Sequence, residues 1–136
     1  MRYQRRISGP LIDRIDVHVE VPRVEYDKLT GSVNPESSAS IQERVEKARV
    51  VQRQRFQGSK LTCNADMGPR EVRDRCPVEP AAQTLLKAAV QQLHLSARAF
   101  HRTLKLARTI SDLGGSEVLQ AAHVAEAIQY RPRQIA

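Results

Sequence analysis

Apolar positions recur along this chain at two periods. Ile15, Val17, Val19 and Val21 alternate with Asp16, His18 and Glu20, a period of two that predicts a β-strand closed by Pro22. Beyond it the period is helical. Ile41, Val45, Ala48 and Val51 predict a helix from Ser40 to about Phe56, opened by Ser40-Ile41-Gln42-Glu43 as a capping box and ended by Gln57-Gly58-Ser59. A short helix is expected over Pro69 to Arg75, because proline suits the first helical position and Glu71 the first turn. Leu85, Leu86, Ala89, Val90 and Leu93 mark a helix from Pro80 to Leu93, and Val124, Ala127 and Ile128 the inner face of a last one from Gln120 to Tyr130.

The best-specified helix lies between these two, in Leu95 to Gly115. Ser96 is its expected N-cap, Leu95 and Phe100 stand at the two positions of a hydrophobic staple, and Gly114-Gly115 supplies the positive-φ stop. At about 100° per residue, Phe100, Leu104, Ala107, Ile110 and Leu113 form an apolar side. Arg98, His101, Arg102, Lys105 and Arg108 gather opposite. Only the short turn His94-Leu95 separates this helix from the one before, so the two are expected to pack as neighbours.

A strand needs a sheet, and no second convincing strand follows. The stretch 1–22 therefore reads as the last strand of a domain whose body lies upstream, with Met1 an artificial start. Its first part, Arg5-Arg6-Ile7-Ser8-Gly9-Pro10, is a basic turn, and Pro10 to Asp13 a short helical one. Residues 23–39, with Gly31, Pro35 and a serine cluster, read as a linker, residues 40–133 as a helical domain, and 134–136 as a tail. The expected fold is all-α, a small helical bundle preceded by one orphan strand.

Composition supports a helical core. Aromatics make up 4% of 136 residues and tryptophan is absent, so Leu, Val, Ile and Ala must fill the interior. Lys+Arg 22 against Asp+Glu 15 gives a formal charge of +7, which favours phosphate-bearing partners or simply keeps the chain in solution. The arginine usage favours phosphate. Cys63 and Cys76 are too few for a disulfide framework and suit a reducing, cytoplasmic setting. No apolar run is long enough to span a membrane, and none follows the N-terminal arginines as a signal peptide would require.

Arg14 precedes the expected strand and Arg98 stands in the first turn of the central helix. Arginines at the mouths of two elements suit a triphosphate, whose transition-state charge a guanidinium can spread. Either alone reads more readily as half of a surface salt bridge, and the spacing by itself does not overturn that. His94, His101 and His123 fall on different elements without acidic partners at ligand spacing, so no metal site is expected.

Four ordered stretches carry a resemblance: SGPLIDRIDVHVEVP, SSASIQERVEKAR, LSARAFHRTLKLARTISDLGG and AAHVAEAIQYRPR. Together they resemble the C-terminal part of the magnesium-chelatase-like AAA+ ATPases, more narrowly the competence-related ComM (YifB) family, from Tyr3 to about Arg133. The resemblance implies that 1–22 ends an AAA+ core, with Arg14 as arginine finger, and that 40–133 is the helical lid, with Arg98 as the sensor 2 residue facing the ATP γ-phosphate. It also implies ATP and Mg²⁺ as cofactors of a full-length parent, and partners in the parent's own core, neighbouring subunits of a homo-hexameric ring, and DNA undergoing branch migration during natural transformation. No membrane partner is implied. The chain holds no G-x-x-x-x-G-K-[ST] loop and no acidic Walker B strand, so on its own it is expected neither to hydrolyse ATP nor to hold a cofactor. Two other readings remain. One is a self-standing basic module in which residues 80–112 form a helix-turn-helix on nucleic acid; the other is a helical protein-interaction domain.

Overall fold

The computed structural model describes residues 14–23 and 35–131. Five α-helices follow one another among them: α1 (Ser38–Arg55), α2 (Pro69–Arg75), α3 (Pro80–Gln92), α4 (Ala97–Leu113) and α5 (Ala121–Gln129), with a 3₁₀ turn at Asn64–Asp66. The all-α expectation holds, and no sheet occurs among the described residues. The basic turn at 5–10, the helical turn at 10–13, residues 24–34 of the expected linker and the end of the chain after Arg131 lie outside the described residues.

The central helix is where the sequence puts it. Ser96 Oγ accepts from the Ala99 N–H at 3.2 Å, and Leu95 before it is buried. Gly115, at φ +69°, supplies the left-handed stop, while Gly114 stays helical at φ −83°. The turn entering α4 places His94 at φ +47°, a conformation histidine tolerates better than most side chains. α4 packs against α1, the 3₁₀ turn, α2 and α5, and α5 also packs on α3. One core joins them, built on Met67, Val72, Leu104, Ala107, Leu119 and Val124.

Caps explain the boundaries. Gly68 precedes α2 and its N–H is taken by the Glu71 carboxylate at 2.9 Å; a Cβ at Gly68 would stand 2.8 Å from that same oxygen. A single parallel bridge, Val78 to Leu119, ties the entry of α3 to the α4–α5 connection. From there the Glu79 carboxylate reaches across to accept from Ala121 N–H in the first turn of α5, at 2.9 Å. His123 Nδ1 takes the Gln120 N–H at 3.1 Å, so this histidine caps a helix.

Four expectations are corrected. α1 starts two residues before Ser40: Ser37 is its N-cap, accepting from Ser40 N–H, and Ser40 Oγ donates instead to Glu36. The serine cluster offers several caps and the earlier one is used. Of its expected stripe only Ala48 is buried, while Ile41, Val45 and Val51 are exposed, because α1 meets the body only through its C-terminal half. On α3 the buried face is Ala82, Leu86 and Ala89, and Val90 and Leu93 are exposed. On α4 the buried set is Thr103, Leu104, Ala107, Arg108, Ser111 and Asp112, whereas Leu113 is 49% exposed. The i, i+3, i+4, i+7 spacing of a core face is kept, rotated so that it takes in polar residues. Helices on several sides of α4 leave it no wholly solvated face.

The stretch Ile15–Val21 finds no ladder among the described residues. Its Ile15, Val17, Val19 and Val21 side chains are exposed, and one backbone bond, His18 N–H to Tyr130 C=O at 2.8 Å, joins it to the end of α5.

A cationic cleft at the start of the central helix

Arg14 and Arg98, placed on separate elements by the sequence reading, come together on one cleft. It measures about 560 Å³ and is lined by Arg14 and Asp16 of the extended segment, Met67 and Pro69 before and at the start of α2, and Arg98, His101, Arg102 and Lys105 of α4. The α4 residues lie at i, i+3, i+4 and i+7, one face of a helix. Neither Arg14 nor Arg98 has a side-chain hydrogen bond or ion pair among the described residues, and both are exposed.

The other cations of that face are engaged. Arg102 Nε stands 3.0 Å from Asp16 Oδ1, and its Nη2 donates to the Ile15 carbonyl at 2.5 Å. Lys105 Nζ donates to the Ala65 carbonyl in the 3₁₀ turn at 2.8 Å. His101 stands edge-on to Phe100, ring centroids 5.5 Å apart. Arg131 lies beside Arg102 around a small adjoining hollow; burial first, then the Arg102 charge, pull its pKa below the ordinary arginine value. Among the described residues Asp16 is the one carboxylate lining the cleft, and it is already paired with Arg102. The donor set therefore fits phosphate oxygens, which want guanidinium and ammonium groups, and does not fit Mg²⁺, which wants free carboxylates.

Arg108, expected on the same solvated face, is 5% exposed and belongs elsewhere. It shares Asp112 with Arg55 of α1. Arg55 meets the carboxylate through both terminal nitrogens, at 2.5 and 2.8 Å, and also donates to Asn64 Oδ1 at 2.8 Å. Arg108 approaches Asp112 Oδ1 at 3.2 Å and donates to the Glu117 carbonyl. Asn64 Nδ2 adds 2.8 Å to Asp112 and 3.1 Å to Thr109, and Asn64 N–H donates to Gln52. Burial, then the neighbouring Arg55 charge, lowers the Arg108 pKa. Burial, opposed by the same two arginines, pushes the nearby Cys76 thiol up to about 11. The sequence reading missed this hub. The available signal was Asp112, the only acidic residue of α4, standing eight residues after Leu104 in the register of the core face.

The described residues form a helical unit packed around one central helix, with a cationic cleft at that helix's start. The chain belongs to the magnesium-chelatase family: the C-terminal domain of magnesium chelatase subunit ChlI matches residues 35–131, and the ChlI domain that precedes it matches 1–29. Among curated proteins, the chain is similar to competence protein ComM of Haemophilus influenzae and to the uncharacterized protein YifB of Escherichia coli, each at 39% identity over 132 residues. An uncharacterized protein of Mycobacterium tuberculosis is 31% identical over 130 residues. In the first two, the match covers 96% of this chain and 25% of the relative, so the chain spans about a quarter of the length of these relatives. The family supports reading the helical unit as an AAA+ lid. No helix of the described residues is long and apolar enough to cross a membrane.

Proposed function

We propose that this chain serves as the nucleotide-responsive lid of a ring-forming, magnesium-chelatase-like AAA+ ATPase, with Arg14 as arginine finger and Arg98 as sensor 2 residue. The observation that carries the reading is the shared cleft: two arginines 84 positions apart, unpaired among the described residues, open on the same space. An unpaired exposed guanidinium is disposed to bind an anion, and two facing one cleft suit a polyphosphate. Since they open together, both address one nucleotide, bound by a core that supplies the phosphate loop and Mg²⁺. In a homo-hexamer that nucleotide sits at the junction with a neighbouring subunit. The name of the Haemophilus relative suggests competence as the setting of the parent's work, and DNA undergoing branch migration is the substrate proposed for it there.

The helix-turn-helix alternative fares worse on the same geometry. A recognition helix must present its basic face to a groove. Arg102 of α4 is held by Asp16 and Ile15, Lys105 by Ala65, and Arg108 is buried, which leaves Arg98 and His101.

The test is Arg14→Ala in a full-length ATPase carrying this chain. Turnover should fall by something on the order of 10³-fold or more, as for other arginine fingers, while nucleotide affinity changes little. Mixing such subunits with unaltered ones should depress the activity of the whole ring. Normal turnover would make Arg14 a surface residue and end the reading.

A further inference from the structure

The extended segment carrying Arg14 is not held by apolar burial. Ile15 and Val17 are 42% and 45% exposed, Val19 and Val21 more so. Among the described residues polar bonds hold it instead, two of them from one side chain. Arg102 lies one helical turn after Arg98. Its Nε faces Asp16 Oδ1 at 3.0 Å and its Nη2 donates to the Ile15 carbonyl, so it grips the two residues that follow Arg14. The Arg102 side chain is 18% exposed and that of Asp16 63%, so the pair is sheltered on the Arg102 side and open to solvent on the other, and the bond to the Ile15 carbonyl is what adds geometry to an otherwise surface ion pair. Asp16, Arg102 and Arg131 also share the lining of the adjoining hollow. A backbone bond, His18 N–H to Tyr130 C=O at 2.8 Å, also fastens the same segment to the end of α5.

We propose that Arg102 is a positioning residue: by clamping Asp16 and the Ile15 carbonyl it docks the Arg14 segment onto α4, so that Arg14 and Arg98 advance on a phosphate as one unit. The inference rests on the proposed function. Arg102 need not touch nucleotide. It fixes the separation of two groups that do, and a misplacement of about 1 Å at a reacting group is worth on the order of 10²-fold in rate.

Two measurements test it. In the 136-residue chain, Arg102→Gln and Asp16→Asn should each speed hydrogen exchange at the His18 amide at least about 10-fold, because its bond lies in the clamped segment, while amides in the middle of α4 keep their protection. In a full-length ATPase carrying the chain, each should lower kcat on the order of 10- to 100-fold with little change in KM for ATP. The double variant should be no worse than either single one, since both break one clamp. Near-normal kcat in Arg102→Gln, beside a crippled Arg14→Ala, would overturn the clamp and leave the finger assignment standing. Normal turnover in both Arg14→Ala and Arg98→Ala would overturn the proposed function and this proposal with it. Unchanged exchange at His18 would also overturn the clamp, whatever the activity.

Discussion

At the C-terminal end of α4, Arg55 and Arg108 close over one carboxylate, Asn64 and the Glu117 carbonyl take up further donors, and Arg108 Nε alone of this group is buried without a hydrogen-bond partner among the described residues. Toward the N-terminal end, Arg98 and the neighbouring Arg14 have no partner among the described residues and look onto an open cleft. The four arginines share one chemistry, and their surroundings divide the work. A guanidinium whose donors are met inside the protein holds elements together. One whose donors are unmet at a cleft wall is available to an anion. The hub ties α1 and the 3₁₀ turn to α4, the helix that supplies most of the cleft wall, and Met67 of the cleft directly follows that turn, so the first pair anchors the wall on which the second stands. Arg102 stands between the two kinds, engaged with Asp16 yet lining the cleft.

The largest change in stability should follow from opening the hub. The side chain of Asp112 is fully buried and that of Arg55 10% exposed, and Asp112→Ala leaves two buried guanidiniums without their carboxylate. Removal of one partner from a buried ionic cluster costs about 3–5 kcal/mol. Denaturant unfolding of the chain should show a loss in that range. A loss below about 1 kcal/mol would mean that water reaches the hub, and would erase the contrast between the two ends of α4.

The hub also shows where sequence reading stops. The starts of α2, α3 and α4 follow from local chemistry, proline at the first position of α2 and α3 and the Ser96 cap of α4, as does the glycine stop of α4, and these act whatever the tertiary context. The cleft was half readable: Arg14 and Arg98 stood out, the second at a helix start, but their approach depends on how the segment at 14–18 docks, which no local rule specifies. The polar side of α4 was misread at Arg108 because charge implies solvent only when nothing packs there, and α1 arrives from 42 residues upstream with Arg55 already matched to Asp112. Likewise Ile41 and Val45 have helical spacing, which implies a buried stripe only where a partner exists to cover it. Period reveals the element, and tertiary contact decides which face is inside.

A smaller effect should appear in the pH dependence. Cys76 lies within the field of Arg108, Arg55 and Asp112, and burial raises its pKa from the ordinary 9.0 to about 11. The unfolded thiol therefore ionises first. Between about pH 9 and 11 the folded state holds a proton that the unfolded state has given up, so stability falls as pH rises through that window. Below pH 9 the contribution is fully present, and above 11 it is lost. Two pKa units correspond to a loss of about 3 kcal/mol at most. Lysines and tyrosines titrate nearby, so the readout is the difference between the unaltered chain and Cys76→Ala, whose profile should be flatter by that amount. Identical profiles would show that solvent reaches the thiol, and by extension the arginines beside it.

The smallest change in stability is expected at the cleft. Arg98 follows the first residue of α4, exposed, with no side-chain bond among the described residues, and the cap that starts the helix belongs to Ser96 and Ala99. Arg98→Ala thus removes no internal contact and replaces a good helix former with a better one. Close to a helix N-terminus a positive charge is also mildly unfavourable to the helix dipole, so its loss works in the same direction. The net effect on unfolding should stay within about 0.5 kcal/mol of zero, and any residual change should be toward greater stability. In a full-length ATPase the same substitution should cost far more in turnover than in stability, because the group it deletes faces outward toward ligand and not inward toward scaffold. That asymmetry separates a site from a structural network. If Arg98→Ala destabilises the chain by as much as Asp112→Ala, the cleft is part of the scaffold and the two ends of α4 do the same work.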